Sequence, residues 1–180
     1  MYYLYTIKDS FEVMPKDFGK PLEEVAKKQL REKYERRIDK DLGLIVAITN
    51  IREISDGKIF SGSPSTYHEV TFDALCYSPK IGEVVVGEVS ELVEFGAFVR
   101  FGPFEGLVHV SQMLNDFVSF DRKVPVFVAK ESKKTLKKGD VVYAKISTVA
   151  LKNTVADTKI AMTMRPTGLG KEEWLSGESL

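Results

Sequence analysis

Gly87-Glu-Val-Ser-Glu-Leu-Val-Glu-Phe-Gly-Ala-Phe-Val-Arg-Phe-Gly-Pro-Phe-Glu-Gly-Leu-Val-His-Val-Ser111 sets two alternating apolar runs around glycine, with aromatic residues beside the glycines. Period-two alternation makes strands, and the glycines let them bend sharply, which suits a small β-barrel with rings on its outer face. Phe98 and Arg100 are two apart and share a strand face, while Ala97, Val99 and Phe101 supply an apolar set on the other. Phe95 joins the Phe98 face if the chain bulges near Gly96. His109 lies on the next strand, and Gly96 has no side chain to keep a base from the backbone. Rings so placed can stack on unpaired bases, at about 1–3 kcal/mol each. In the alternative reading both phenylalanines fill the barrel.

Downstream of a Pro/Gly boundary at Ser78-Pro-Lys-Ile-Gly82 the pattern is all β. Strands are expected at 83–92, 96–101, 107–110, 124–129, 141–149 and 158–164, enough for an OB-type barrel. Residues 112–123 form a polar excursion with room for a short helical turn. Upstream the chain reads as an α+β unit. Tyr2–Ile7 begins a strand, and Pro15–Pro21 is a loop carrying Phe18 and Gly19. Leu22, Val25, Ala26, Leu30, Tyr34 and Ile38 follow helical spacing, with Gly43 as the helix stop. Residues 44–54 make a long strand, Ser55-Asp-Gly-Lys58 signals a hairpin turn, and Ile59–Phe60 starts the return. In the strand 67–77, Val70, Phe72, Ala74 and Cys76 face one way. The expected organisation is residues 1–79 as an α+β domain with one main helix on an antiparallel sheet, 80–165 as an OB-fold barrel, and 166–180 as a C-terminal tail. That tail holds Trp174 and is either mobile or a short docking segment.

The 180 residues are 43% hydrophobic and carry a formal net charge of zero, so a core is affordable and a strongly basic nucleic-acid binder is excluded. A local patch is not excluded. From Arg122 to Lys159, ten basic residues stand against three acidic ones, whereas Glu83, Glu88, Glu91, Glu94 and Glu105 mark the earlier strands. The barrel is therefore expected to be basic on one side, although the lysines at 133, 134, 137 and 138 also read as a solubilising loop. One cysteine allows no internal disulfide, and no apolar run reaches the length of a membrane span. An intracellular, cytoplasmic location is expected. Two histidines and one cysteine are too few for a Cys/His zinc site, and the His109/Ser111 pair has no acidic orienter in its local spacing. No enzyme centre, metal or cofactor is expected.

The start at Gly87 and Val89, the Phe95-Gly-Ala-Phe-Val99 core and the Gly106-Leu-Val-His-Val-Ser111 end resemble the RNA-binding barrel named after the first small-subunit ribosomal protein, the "S-one" domain. That resemblance implies an OB-fold with Phe95, Phe98 and His109 on the RNA-facing surface. Members often carry an acidic and a basic residue on a later strand, where this chain has Thr148-Val-Ala-Leu-Lys152.

A wider resemblance adds the Phe18-Gly19 loop, Asp56-Gly-Lys-Ile59, Tyr67-His-Glu-Val-Thr-Phe-Asp-Ala-Leu75 and the order of the two halves. Together these are similar to the larger, E-prime stalk subunit of archaeal RNA polymerase, counterpart of the seventh subunit of eukaryotic RNA polymerase II. The resemblance implies a non-catalytic subunit that forms a heterodimer with a smaller one, the F subunit, docks on the polymerase core and touches emerging single-stranded RNA. Carried over by position, Phe18, Gly19, Asp56 and Gly57 are candidates for docking. Phe95, Phe98, Arg100, His109 and Lys145 are candidates for RNA contact. An RNA-binding translation or decay factor, and an assembly scaffold without RNA affinity, are the competing readings.

Overall fold

The computed structural model describes residues 1–175, and the chain divides into two compact units, Met1–Ser78 and Pro79–Leu180. The first unit runs β1 (Tyr2–Val13), a 3-10 turn (Pro15–Asp17), α1 (Leu22–Tyr34), β2 (Ile38–Asp39), β3 (Gly43–Ile54), β4 (Lys58–Ile59) and β5 (Thr66–Tyr77). The sheet is antiparallel in the order β1-β5-β3-β2, with β4 also paired to β5. Val25, Ala26 and Leu30 of α1 meet Val70, Phe72, Ala74 and Cys76 of β5 in one core, as the two periodicities require. Tyr34 Oη donates to Asp9 at 2.6 Å and Gln29 Nε2 to the Glu12 carbonyl at 2.6 Å, tying α1 to β1. Three register shifts along β3 curve the sheet.

Two expectations are corrected. The helix stops at Tyr34, well before Gly43, because Glu35 is extended and Arg36 takes a left-handed φ of 65°. The Arg36 amide then donates to the Ile45 carbonyl, drawing the chain back along β3. Gly43 instead opens β3 at φ 80°, where a Cβ would lie 2.5 Å from the Tyr77 oxygen. Nor does Ser55–Lys58 reverse the chain. β3 pairs with β5 as far as Ile54–Val70, and β4 resumes on the same edge of β5 at Lys58–Tyr67. Asp56 and Gly57 are a bulge in one interrupted strand, held by Ser55, whose amide donates to the Glu69 oxygen and whose hydroxyl accepts the Glu69 amide. The reversal comes after Ile59, through residues 60–65.

The second unit runs β6 (Val84–Val93), β7 (Gly96–Phe101), β8 (Phe104–His109), a 3-10 turn (Val110–Gln112), β9 (Val118–Asp121), β10 (Val126–Ala129), β11 (Thr135–Lys137), β12 (Val141–Ala150), β13 (Lys159–Thr163), β14 (Gly170–Lys171) and α2 (Glu172–Leu175). Strands β13-β8-β7-β6-β12 close into a five-stranded OB-fold barrel through the β12–β13 pairing. Alternate residues fill it, among them Val89, Val99, Phe104, Val108, Ile146 and Met162. The strand expected at 124–129 is not a barrel stave. It is β10, the centre of a separate sheet β11-β10-β9 inserted between β8 and β12. The polar excursion supplies β9, which alternation alone did not reveal. Gly170–Lys171 pairs with β12, and Trp174 is buried beside it.

On the face of the first sheet away from α1, Asp73 is buried and accepts from Arg52 Nε at 2.7 and 2.9 Å and from Thr6 Oγ1 at 2.8 Å. The Arg52 hydrogen bonds, helped by Thr6, hold its carboxyl below the ordinary value. A lowered native pKa stabilises the fold fully above the unfolded carboxylate value, and the gain is lost as pH falls through the native one. Urea midpoints are therefore expected to drop as the pH falls below about 4, and to drop less in Asp73→Asn. An equal acid response in the two proteins would remove Asp73 from the account.

Candidate functional site

Strand alternation decides what the barrel shows to solvent. With Ala97, Val99 and Phe101 buried inside, Phe98 and Arg100 are left on the outer face of β7. Phe95 reaches that face by a different route from the one expected. No bulge occurs at Gly96, because Val93 pairs directly with Gly96 and leaves Glu94–Phe95 as a two-residue turn. The register shift falls on the opposite strand, between Val89 and Glu91. From the turn the Phe95 ring, 50% exposed, meets the Phe98 ring edge-on, with centroids 6.4 Å apart. The Phe95 carbonyl accepts from the Val110 amide at 2.9 Å, so the turn is anchored to the end of β8.

His109 pairs in register with Gly96 and is exposed. Its Nδ1 accepts the Ser111 amide at 3.2 Å and lies 2.9 Å from the Ser111 hydroxyl. With that amide donating to Nδ1, the neutral ring carries its proton on Nε2. Gly96 makes this close approach possible, since a Cβ there would stand 2.5 Å from the Val108 oxygen.

The remaining candidates lie around this ring cluster. Arg100 sits in register between Glu88 and Glu105, with Nη2 3.7 Å from Glu88. An exposed pair of this kind contributes about 0–1 kcal/mol, and it leaves the guanidinium among carboxylates. Lys145 is on β12, in register with Val84 and Thr163. It approaches from the other side of the barrel, through β13, the strand beside β8. Phe95, Phe98 and His109 thus come together, while Arg100 and Lys145 flank them. The exposed carboxylates of Glu88, Glu91 and Glu94 make the β6 side acidic.

Two features were not foreseen. Arg122 Nε meets Glu94 Oε1 at 2.6 Å, and Lys130 Nζ stands 4.3 Å from the centroid of Phe117. The signal for the second was a pair of aromatics, Phe117 and Phe120, in a polar stretch, which also fits buried anchors.

In the first unit Phe18 is 52% exposed, and Gly19 takes φ 86° with open space around it. Gly57 lies against the His68 ring, which also stacks on Phe11. His68 Nδ1 is 3.0 Å from the Ser55 carbonyl oxygen. Because Val13 pairs with Thr66 and Lys58 with Tyr67, the Phe18 loop and the Asp56–Gly57 bulge occupy one end of the sheet. Ile59 (74% exposed) and Phe60 (55%) make that end apolar. A groove of about 990 Å³ runs beside it, floored by Phe11, Val25 and Leu30. The Ile59–Phe60 pair was legible only as part of a strand. Among the described residues no cluster of His, Cys, Asp and Glu could hold a metal ion, and no helix is long and apolar enough to cross a membrane.

Residues 12–64 match the SHS2 domain found in the N terminus of Rpb7p/Rpc25p/MJ0397, and residues 78–157 match the S1 RNA binding domain. The chain is 42% identical to DNA-directed RNA polymerase subunit Rpo7 of Saccharolobus shibatae, over 98% of each chain. It is 39% identical to subunit Rpo7 of Sulfolobus acidocaldarius, over 99% of this chain and 97% of that one. It is 28% identical to DNA-directed RNA polymerase II subunit rpb7 of Dictyostelium discoideum, over 81% of this chain and 86% of that one.

The backbone contact at Gly96 yields a test. Gly96→Val is expected to destabilise the barrel by about 1–3 kcal/mol, read in urea by the fluorescence of the single tryptophan, Trp174, buried in the same unit. An unchanged midpoint would mean that β8 can yield at Val108.

Proposed function

Because the chain belongs to the Rpo7/Rpb7 family of DNA-directed RNA polymerase subunits, we propose that it is the larger stalk subunit of such an enzyme. In this reading it pairs with a smaller stalk protein, the F subunit, docks on the polymerase core and contacts single-stranded RNA as it emerges. It brings no active site of its own, and the nucleotidyl transfer belongs to the core. The observation that carries the RNA role is the exposed Phe95 ring, set edge-on to the half-buried Phe98 ring beside His109, on an otherwise well-filled barrel. Leaving large rings in water forgoes their burial energy, and every base offers a flat face on which such rings can stack without regard to sequence. Lys145 on β12 supplies charge for the phosphates, and Arg100 is in reach of the same strand once its carboxylate neighbours give way.

Docking on the core is assigned to the apolar end of the first unit. Phe18 and Gly19 form its loop and Asp56–Gly57 its bulge, with Ile59 and Phe60 beside them. Contiguous exposed apolar surface of this sort marks protein contacts.

Phe98→Ala is expected to weaken binding of an unstructured RNA by roughly 5- to 100-fold, the loss of one stacked base. Lys145→Ala is expected to lower the affinity less and to flatten its fall with salt. Both variants are expected to co-purify with the large polymerase subunits from cells at the native level. Phe18→Ser is expected to do the reverse, losing the polymerase and keeping the RNA. Unchanged RNA affinity in both barrel variants would remove the stacking face. Recovery of ribosomal or exonuclease proteins in place of polymerase would replace the stalk reading with that of a translation or decay factor.

A further inference from the structure

We propose that the inserted sheet β9–β11 is a second contact surface for single-stranded RNA, carrying the strand onward from the Phe95–Phe98 face; this rests on the RNA-binding reading of that face. The insert is held where such a continuation needs it. Its β9–β10 turn is joined by Arg122 to Glu94, the residue before Phe95, at 2.6 Å. At its other end the insert is braced internally by Asp116 Oδ2, which accepts the Glu131 and Ser132 amides at 3.1 and 3.0 Å and the Ser132 hydroxyl at 3.0 Å. Phe120, Phe127 and Leu136 form its inner, packed side, since the register pairs Phe127 with both others. The buried Phe127, Ala129 and Leu136 line one small apolar space with Met113 and Trp174, so the insert is a packed platform rather than a loose flap.

What it presents is a ring with a cation above it. Phe117 is 65% exposed, the most exposed aromatic side chain among the described residues. The Lys130 ammonium stands 4.3 Å from its centroid, and the Lys130 amide donates to the Phe117 carbonyl at 2.9 Å. A phenylalanine that merely filled the insert would lie on the Phe120 side. An exposed ring with an adjacent ammonium offers one base a face and the next phosphate a counter-charge.

Charge decides the direction of travel. Between Asp116 and Lys138 there are seven Lys and Arg against three Asp and Glu, whereas the β6 side of the ring cluster carries Glu88, Glu91 and Glu94. A strand whose bases lie on Phe95 and Phe98 is repelled on the β6 side. Arg122 neutralises Glu94 at the crossing, so the phosphates are admitted toward the insert. The four residues of β9 add about 13 Å of path to Phe117. The occupant is RNA because both elements of single-strand recognition, ring and cation, sit together and adjoin a face of the same kind.

The test uses the whole chain and fluorescein-labelled oligouridylates of about 4 and about 12 nucleotides, a range set by the site sizes of OB-folds. Phe117→Ala is expected to weaken the longer oligomer at least about 5-fold and to shrink its advantage over the shorter one. Lys130→Gln, which keeps Phe117 in place, is expected to reduce the salt dependence by about one counterion. Trp174 fluorescence checks that each variant is folded. If Phe98→Ala loses affinity while Phe117→Ala and Lys130→Gln bind the longer oligomer as the unsubstituted chain does, the insert is not an RNA surface and the barrel face still is. If none of the three loses affinity, the RNA-binding reading itself fails. If Phe117→Ala keeps its RNA but sheds a polymerase subunit on co-purification, the insert is a protein contact and the inference is overturned.

Discussion

A five-stranded barrel has room inside for every second side chain and no more. Once Ala97, Val99 and Phe101 occupy that space with Val89, Val108 and Met162, the partners of those residues on each strand are forced outward. Phe98 is outside for that reason. The β12–β13 pairing that closes the barrel therefore fixes the chemistry of its surface as well as its core. The close pairing of Gly96 with His109 brings the neighbouring turn, with Phe95 on it, to the same rim. Without closure these residues would be separate positions on flexible hairpins.

The first unit solves a different problem with one helix. Its sheet has two faces and α1 covers one, which leaves the other to polar devices such as the Arg52–Asp73–Thr6 cluster. At the end of the sheet where the loop after β1 leads into α1, the chain leaves Phe18, Ile59 and Phe60 in water. The three register shifts in β3 curve the sheet, and the bulge at Asp56–Gly57 brings β4 back onto β5 beside those residues. The apolar end thus lies where three connections of the sheet meet: the loop into α1, the bulge and the reversal after β4.

Where local pattern and tertiary role coincide, the sequence is transparent. β7 is such a case, because its small and large apolar residues alternate with Phe98 and Arg100 and only one register buries them. β10 is the opposite case. Val126 to Ala129 alternate like a stave, but whether a strand closes a barrel or centres an inserted sheet depends on partners far along the chain. Asp56–Gly57 has the composition of a reverse turn, yet the edge of β5 captured the residues on both sides and turned it into a bulge. Gly43 has the composition of a helix stop, yet the helix had already ended at a left-handed arginine, a conformation no propensity favours. In the site, the outward place of Phe98 followed from alternation, whereas Phe95 reaches it from a turn. The setting of Arg100 between Glu88 and Glu105, and the Arg122–Glu94 link, depend on cross-strand and inter-sheet neighbours that spacing does not encode.

The segregation of charge in the second unit has an electrical consequence. A chain with no formal net charge is neither pulled toward a polyanion nor pushed from it at distances beyond the screening length. Acidic strands on one side of a barrel and a cationic insert on the other nevertheless give that unit a dipole. Near a polyanion such a body feels a torque before it feels an attraction, and the end it turns inward is the cationic insert. Selectivity then lies in orientation.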